Sequence, residues 1–164
     1  MTATLLQVST EHHERLVHHI DRMPQVGDMI GTSSPDELRP RVDELAAFLT
    51  GLLLPHMEAA EHTLYPVLER MLQNRHSMTP MRREHGEIRR LVDELGRLRS
   101  RLDAGPLHTG DAVALRRVVF RLYAVLKVHL AEEQLYLGII DHGVSAESAE
   151  KLASALEHAG IAEL

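Results

Sequence analysis

The chain has 164 residues, of which 44% are hydrophobic and 26% charged, with a formal net charge of −6 and no cysteine. A chain of this length forms one domain that buries roughly 68–70% of its unfolded surface, so no metal is required as a staple. The lack of thiolates excludes disulfides, cysteine nucleophiles and iron–sulfur clusters, and the acidic balance argues against a nucleic-acid partner. Because the sequence has no signal-peptide pattern and no membrane-spanning apolar run, we expect a soluble, cytoplasmic protein.

Apolar residues at helical spacing predict two long helices in the first half of the chain. The first helix follows Ser9 as its N-cap and ends at residues 24–35, where two Gly and two Pro predict a long connection. Ser34 caps the second helix. Pro55 and Pro66 lie inside that helix, and each should kink it because proline cannot donate the hydrogen bond to the residue four positions earlier.

The second half of the chain predicts two more long helices and a short one. After a polar break, Thr79 and the proline that follows it open the third helix, and Gly105 followed by proline ends it. Asp111 opens a fourth helix that runs to about Ile140. A last amphipathic helix occupies about residues 145–159. No segment has the alternating pattern of a strand.

These elements predict an all-α protein. We expect an up-down-up-down four-helix bundle with an additional short C-terminal helix packed across one side. The chain should form a single domain over residues 1–164, with the bundle at about 10–142. No surface pattern demands an assembly, so we expect a monomer or a weak dimer.

Histidine is the unusual residue type, with 12 in the chain, and four of them follow an internal repeat. His13 and His85 are 72 residues apart, and His56 and His129 are 73 residues apart. In the predicted topology all four imidazoles approach the same end of the bundle. We assign to surface or capping positions seven other histidines: His18, His19, His62, His76, His108, His142 and His158.

His129 and Glu133 are four residues apart, so both side chains lie on one face of the fourth helix. Such a pair alone is weak evidence, because a single histidine is more often a surface or hydrogen-bonded residue than a ligand. Four imidazoles and two carboxylates that converge in an apolar interior are costly unless a partner satisfies them. Two metal ions close together would do so, and these donors suit iron, manganese or zinc. The spacing excludes the Glu-x-x-His carboxylate pairs and the His-Glu-x-x-His protease motif.

Several short motifs, taken together and in order, resemble the hemerythrin-like, or HHE cation-binding, family over about residues 10–142. They are His56 with Glu61 and the following Leu64-Tyr65-Pro66, Glu84-His85, and His129 with Glu133. The resemblance implies a four-helix bundle that holds two non-haem iron ions, usually joined by an oxo or hydroxo bridge. It further implies Glu61 and Glu133 as bridging carboxylates and, as terminal ligands, His13, His56, His85 and His129.

The second helix departs from the family pattern in the position of its acid. The family usually has the acid four residues after the histidine, where this chain has Ala60, and Glu61 is five residues after His56. On a straight helix Glu61 would lie about 140° from His56, and a π-bulge between them would restore the register. Glu58 is the fallback ligand.

The third helix departs from the pattern of the family's oxygen carriers, which have a further histidine there, because position 89 is Arg in this chain. That difference leaves room for peroxide, nitric oxide or another protein ligand. Tyr136, seven residues after His129, could supply a phenolate or a hydrogen bond near the metals. Tyr65, four residues after Glu61, has a similar claim, although a plain core tyrosine is the commoner case.

The resemblance favours a di-iron protein that reacts with peroxide in a catalase-like way, with nitric oxide or with oxygen, in defence against oxidative or nitrosative stress. One alternative is a non-enzymatic module that binds or senses oxygen or iron. The other is a metal-free bundle that acts through its fifth helix as an interaction domain. Whether the protein is an enzyme is therefore open at this point, and metal analysis separates the third function from the first two.

Overall fold

The computed structural model describes residues 5–143, with side chains described from residue 13 to residue 140. All the regular structure within residues 5–143 is helical, which confirms the predicted all-α fold class. The predicted C-terminal helix at about 145–159 lies outside the described residues, as does the side chain of Ser9. Among the described residues, no helix combines the length and the apolar character that crossing a membrane requires.

Seven α-helices and two π-helical turns follow one another between residues 5 and 143. In chain order the α-helices are α1 (Leu5–Ile20), α2 (Met23–Met29), α3 (Pro35–Phe48), α4 (Leu54–Ala59), α5 (Tyr65–Met71), α6 (Thr79–Asp103) and α7 (Thr109–Gly143). The π-helical turns, at Leu49–Leu53 and Ala60–Leu64, join α3, α4 and α5 without a gap. The four long helices of the bundle are therefore α1, the composite helix over 35–71, α6 and α7. Helices α1, α2 and α6 pack against α7, and α3 packs against α6.

Helix α2 corrects the sequence prediction of a long connection over residues 24–35. The helix tolerates its two helix-breaking residues, Pro24 and Gly27. Pro24 lies in the first turn, where the backbone N–H has no partner within the helix in any case. Gly27 is buried against α7, and a Cβ added there would lie only 2.7 Å from Cε2 of Phe120. The glycine thus permits a close approach of two helices, and only at Gly31, with φ +86°, does the chain turn away.

The composite helix begins as the sequence predicts. Ser34 caps α3 through a capping box, in which its hydroxyl accepts the N–H of Glu37 and the Glu37 carboxylate accepts the N–H of Ser34. Such a cap satisfies backbone donors that the first turn of a helix would otherwise leave to water. The start of the composite helix is therefore determined by hydrogen bonds between Ser34 and Glu37.

The prolines that were expected to kink this helix each follow a wide, π-helical turn. The N–H of Leu54 bonds to the carbonyl of Leu49, and the N–H of Tyr65 bonds to the carbonyl of Ala60, five residues back in each case. Pro55 and Pro66 come immediately after Leu54 and Tyr65, the donors of these two bonds. A proline has no backbone N–H to donate, and the wider turn before it accommodates that loss. The predicted π-bulge near Glu61 is present, beginning at Ala60.

The core consists of two apolar groups with a polar layer at their boundary. The larger group takes in Leu16, Val42, Leu91 and Leu122 among many aliphatic residues, and the smaller is built around Tyr65. Four histidines and one glutamate are buried among the described side chains of this boundary: His13, His56, His85, His129 and Glu133. Burying so many polar groups is costly without partners, so this polar layer is the candidate functional site.

Candidate metal centre

Four different helices carry the four histidines that the internal repeat singles out. His13 lies on α1, His56 on α4, His85 on α6 and His129 on α7, and each is at most 7% exposed. The other histidines with described side chains are all exposed, namely His18, His19, His62, His76 and His108. His142 and His158 lie outside the described side chains. The repeat therefore separates the buried imidazoles from those that solvent reaches.

One half of the polar layer is centred on the carboxylate of Glu133. Its Oε2 lies 3.0 Å from Nε2 of His56 and 3.2 Å from Nε2 of His13. The three residues form a group in which one donor atom from each lies within 4.8 Å of the others, and all three are buried. The Nδ1 of His13 lies 3.1 Å from the side-chain oxygen of Gln134, so both ring nitrogens of this buried imidazole have a polar neighbour.

The other half brings two imidazoles together head to head. Nε2 of His85 lies 3.1 Å from Nε2 of His129 and 3.0 Å from the hydroxyl of Tyr65. The outer Nδ1 of His85 lies 2.6 Å from Oε1 of Glu61, and the outer Nδ1 of His129 lies 2.9 Å from Oε2 of Glu84. An ionised carboxylate only accepts, so both Nδ1 atoms donate and both lone pairs meet at Nε2.

These contacts leave a demand for positive charge at the centre. The two facing lone pairs can receive only one proton from the Tyr65 hydroxyl, so one of them has no donor within the described part of the chain. Oε1 of Glu133 is buried and has no hydrogen-bond partner among the described residues. A cation held by these atoms would satisfy both deficits, and a set of imidazole nitrogens with carboxylate and phenol oxygens fits iron, manganese or zinc. The residues present thus fit a metal centre.

The electrostatics of the layer point the same way. Burial opposes ionisation of Glu133, but the neighbouring His56 and His13 outweigh it and hold the pKa of this carboxyl well below its usual range. Burial, together with the charge of His129, lowers the pKa of His85 to about 4. Burial also lowers the pKa of His129. The layer therefore holds an ionised Glu133 and neutral imidazoles at His85 and His129, which are the forms that bind metals.

Tyr65 is the buried hydroxyl of this layer. Its side chain is fully buried, and burial, with the charges of Glu133 and Glu61, raises the pKa of its phenol well above the usual range. The phenol therefore carries its proton in the protein without a bound cation. Tyr136, the other tyrosine considered near the metals, is partly buried and packs against the apolar group that contains Tyr65.

The structure gives Glu61 and Glu58 different surroundings from Glu133. Glu61 reaches the outer nitrogen of His85 and also accepts from Nη1 of Arg89 at 3.0 Å. Burial raises the pKa of Glu61, but these two donors outweigh it and lower the value. Glu58 is exposed. Of the three acids considered as ligands, Glu133 alone joins the buried group with His13 and His56.

The sequence did not predict the contacts that two further side chains make with the buried histidines. Gln134 supports His13, and Glu84 supports His129 from a different helix. Glu84 lies next to His85 in a matching motif, but that adjacency gave no hint that its partner is on α7. Contacts between helices of this kind have no sequence period, so no pattern could have found them.

The comparisons with known proteins agree with this geometry. The family model described as Hemerythrin HHE cation binding domain matches residues 4–140, which is most of the chain. Neither the curated proteins nor the solved structures include a significant match.

Proposed function

Because this chain belongs to the hemerythrin HHE cation-binding domain family, we propose that its buried polar layer holds two non-haem iron ions, joined by an oxo or hydroxo bridge, that disproportionate peroxide. The observation that supports this best is the environment of Glu133. One of its oxygens faces two imidazoles, and the other is buried without a partner among the described residues. A carboxylate so arranged is suited to bridging two cations.

The proposed ligands follow from the two halves of the layer. His13, His56 and Glu133 would hold the first ion, and His85 and His129, with the second oxygen of Glu133, would hold the other. The hydroxyl of Tyr65, 3.0 Å from Nε2 of His85, is a further donor for the second ion. Glu61, which the resemblance assigns to the bridge, contacts the outer nitrogen of His85 instead.

The donor set leaves space for a small ligand. Four imidazole nitrogens, two carboxylate oxygens and one phenol oxygen, divided between two ions, would leave room for a further small ligand. Position 89, where an oxygen carrier has another histidine, holds an arginine whose side chain bonds to Glu61. We therefore assign the remaining positions to peroxide and bridging oxygen, rather than to a fifth imidazole.

Peroxide disproportionation is the reaction that this centre could complete without a partner. Two peroxide molecules give two water molecules and one oxygen molecule, so one peroxide is oxidised while the other is reduced and no outside electron donor is consumed. Iron supplies the redox chemistry when it is bound. The protein residues would hold the ions and exclude water with the surrounding apolar side chains, and burial keeps His85 and His129 neutral. Such a reaction serves defence against oxidative stress.

The test is metal analysis followed by turnover. We expect about two iron ions per chain, and oxygen evolution from peroxide that exceeds the activity of free iron. His129→Ala should abolish this activity, and His108→Ala, a change at an exposed histidine, should retain it. Protein that binds no metal would favour the metal-free interaction domain. Iron-loaded protein that changes its optical spectrum reversibly with oxygen, but does not turn over peroxide, would favour a binding or sensing module.

A further inference from the structure

Two glutamates make matching contacts with the imidazoles of the second half of the layer. Glu61 accepts from Nδ1 of His85 at 2.6 Å, and Glu84 accepts from Nδ1 of His129 at 2.9 Å. Both carboxylates are partly exposed, at 23% and 26%, whereas both imidazoles are fully buried. Each glutamate therefore lies on the solvent side of a buried imidazole, away from the point where the two Nε2 atoms meet.

We infer that Glu61 and Glu84 are a pair of positioning residues, which orient His85 and His129 toward the second ion but do not bind it. This inference rests on the proposed function of the layer as a two-ion centre. It differs from the resemblance, which makes Glu61 a bridging ligand, and it leaves Glu133 as the single carboxylate that joins the two ions.

The chemistry of imidazole explains why such a pair is needed. A neutral histidine carries its proton on one ring nitrogen and its lone pair on the other, and the hydrogen bond at one nitrogen selects the tautomer. A carboxylate at Nδ1 places the lone pair at Nε2, fixes the ring orientation and makes the imidazole a more basic ligand. With one carboxylate for each ring, both lone pairs point to the place that the second ion would occupy.

Arg89 keeps Glu61 in its outer position. Its Nη1 lies 3.0 Å from the same Oε1 atom that accepts from His85, so this oxygen already serves two donors. An inward turn of the carboxylate toward the metals would break both contacts and leave Nδ1 of His85 buried without an acceptor. The arginine at position 89, which removes a histidine ligand, thus also gives Glu61 a different task.

Metal titrations of matched variants test this assignment. We expect Glu61→Gln, which keeps an oxygen acceptor for Nδ1, to bind two iron or zinc ions per chain with nearly the affinity of the wild type. Glu61→Ala and Glu84→Ala should also bind two ions, with an affinity for the second ion about 10–100-fold lower. Glu58→Gln, a change at an exposed acid on the same composite helix, should have no effect.

A second measurement reads the positioning directly. In the zinc-loaded protein, nitrogen-resolved NMR should show a protonated Nδ1 and a metal-bound Nε2 for both His85 and His129. Glu61→Ala should change the Nδ1–H signal of His85 and leave that of His129 in place, and Glu84→Ala should do the reverse.

The outcomes separate this inference from the proposed function. Wild-type protein that binds no metal would overturn the proposed function and the inference with it. Wild-type protein with two ions, combined with a Glu61→Gln variant that holds one, would overturn the inference alone, because Glu61 would then be a ligand.

Discussion

The larger apolar group and the polar layer are both buried in the same bundle, yet they are stabilised differently. In the apolar group many aliphatic side chains such as Leu91 and Leu122 share non-directional contacts, so no single atom pair decides the packing. In the polar layer each contact joins two named atoms, and Oε1 of Glu133 still has no partner among the described residues. The packing of the apolar group involves no ion, whereas a cation bound in the polar layer would give Oε1 of Glu133 a partner.

Removing the charge of Glu133 should have the largest effect on the polar layer, relative to its effect on the larger apolar group. We expect Glu133→Gln to lose both ions, because its carboxylate contacts the imidazoles of the first half and supplies the free oxygen of the second. The apolar group should keep the metal-free variant folded. Metal analysis and circular dichroism measure the two effects. Glu14→Gln, at an exposed acid beside His13, is the control and should keep both ions.

The converse change removes packing without touching the donors. Leu91 is fully buried in the larger apolar group, so Leu91→Ala should lower the free energy of unfolding by about 2–5 kcal/mol. Denaturant unfolding measures this loss, and the iron content of the folded variant should equal that of the wild type. Val113→Ala, at an exposed position, should change stability by less than about 0.5 kcal/mol. A loss of iron in Leu91→Ala would mean that the two regions are not independent.

Acidification should weaken the polar layer before the apolar group. Burial lowers the pKa of His85 from the usual 6.5 to about 4, so the unfolded chain binds this proton more readily than the folded one. In the metal-free protein, the contribution of neutral His85 to the free energy of unfolding is fully present above pH 6.5. As the pH falls toward 4 this contribution is lost, by up to about 3 kcal/mol. Unfolding measured across this range should show the slope, and His85→Gln should flatten it. His76→Gln, at an exposed histidine, should leave the slope unchanged.

The smallest effect on stability should come from the hydroxyl of Tyr65. Tyr65→Phe keeps the ring but removes the hydrogen bond to His85, at a cost of about 1 kcal/mol. In the iron-loaded protein a phenol oxygen bound to ferric iron gives a charge-transfer band in the visible spectrum, and we expect Tyr65→Phe to lose it. Tyr136→Phe should retain the band. The opposite pattern would assign the phenol donor to Tyr136.

Much of the fold could be predicted from the sequence because its determinants are local. The capping box of Ser34 and Glu37 and the helical spacing of apolar residues act within one segment of chain. The two prolines marked where the composite helix departs from α geometry, since each follows a π-helical turn. Helix α2 was missed because Gly27 looked like a breaker, when its role is the approach to Phe120 on another helix.

The candidate site was likewise only partly predictable from the sequence. The repeat offsets of 72 and 73 residues selected the four buried histidines, since helices of similar length bring equivalent positions to the same level of a bundle. The sequence by itself therefore determined which imidazoles are buried. Only the tertiary structure decided which of their nitrogens face inward, that Glu84 contacts His129, and that Arg89 donates to Glu61. Those choices depend on how separate helices rotate and approach one another to within hydrogen-bond distance, and no periodicity along a single helix records that.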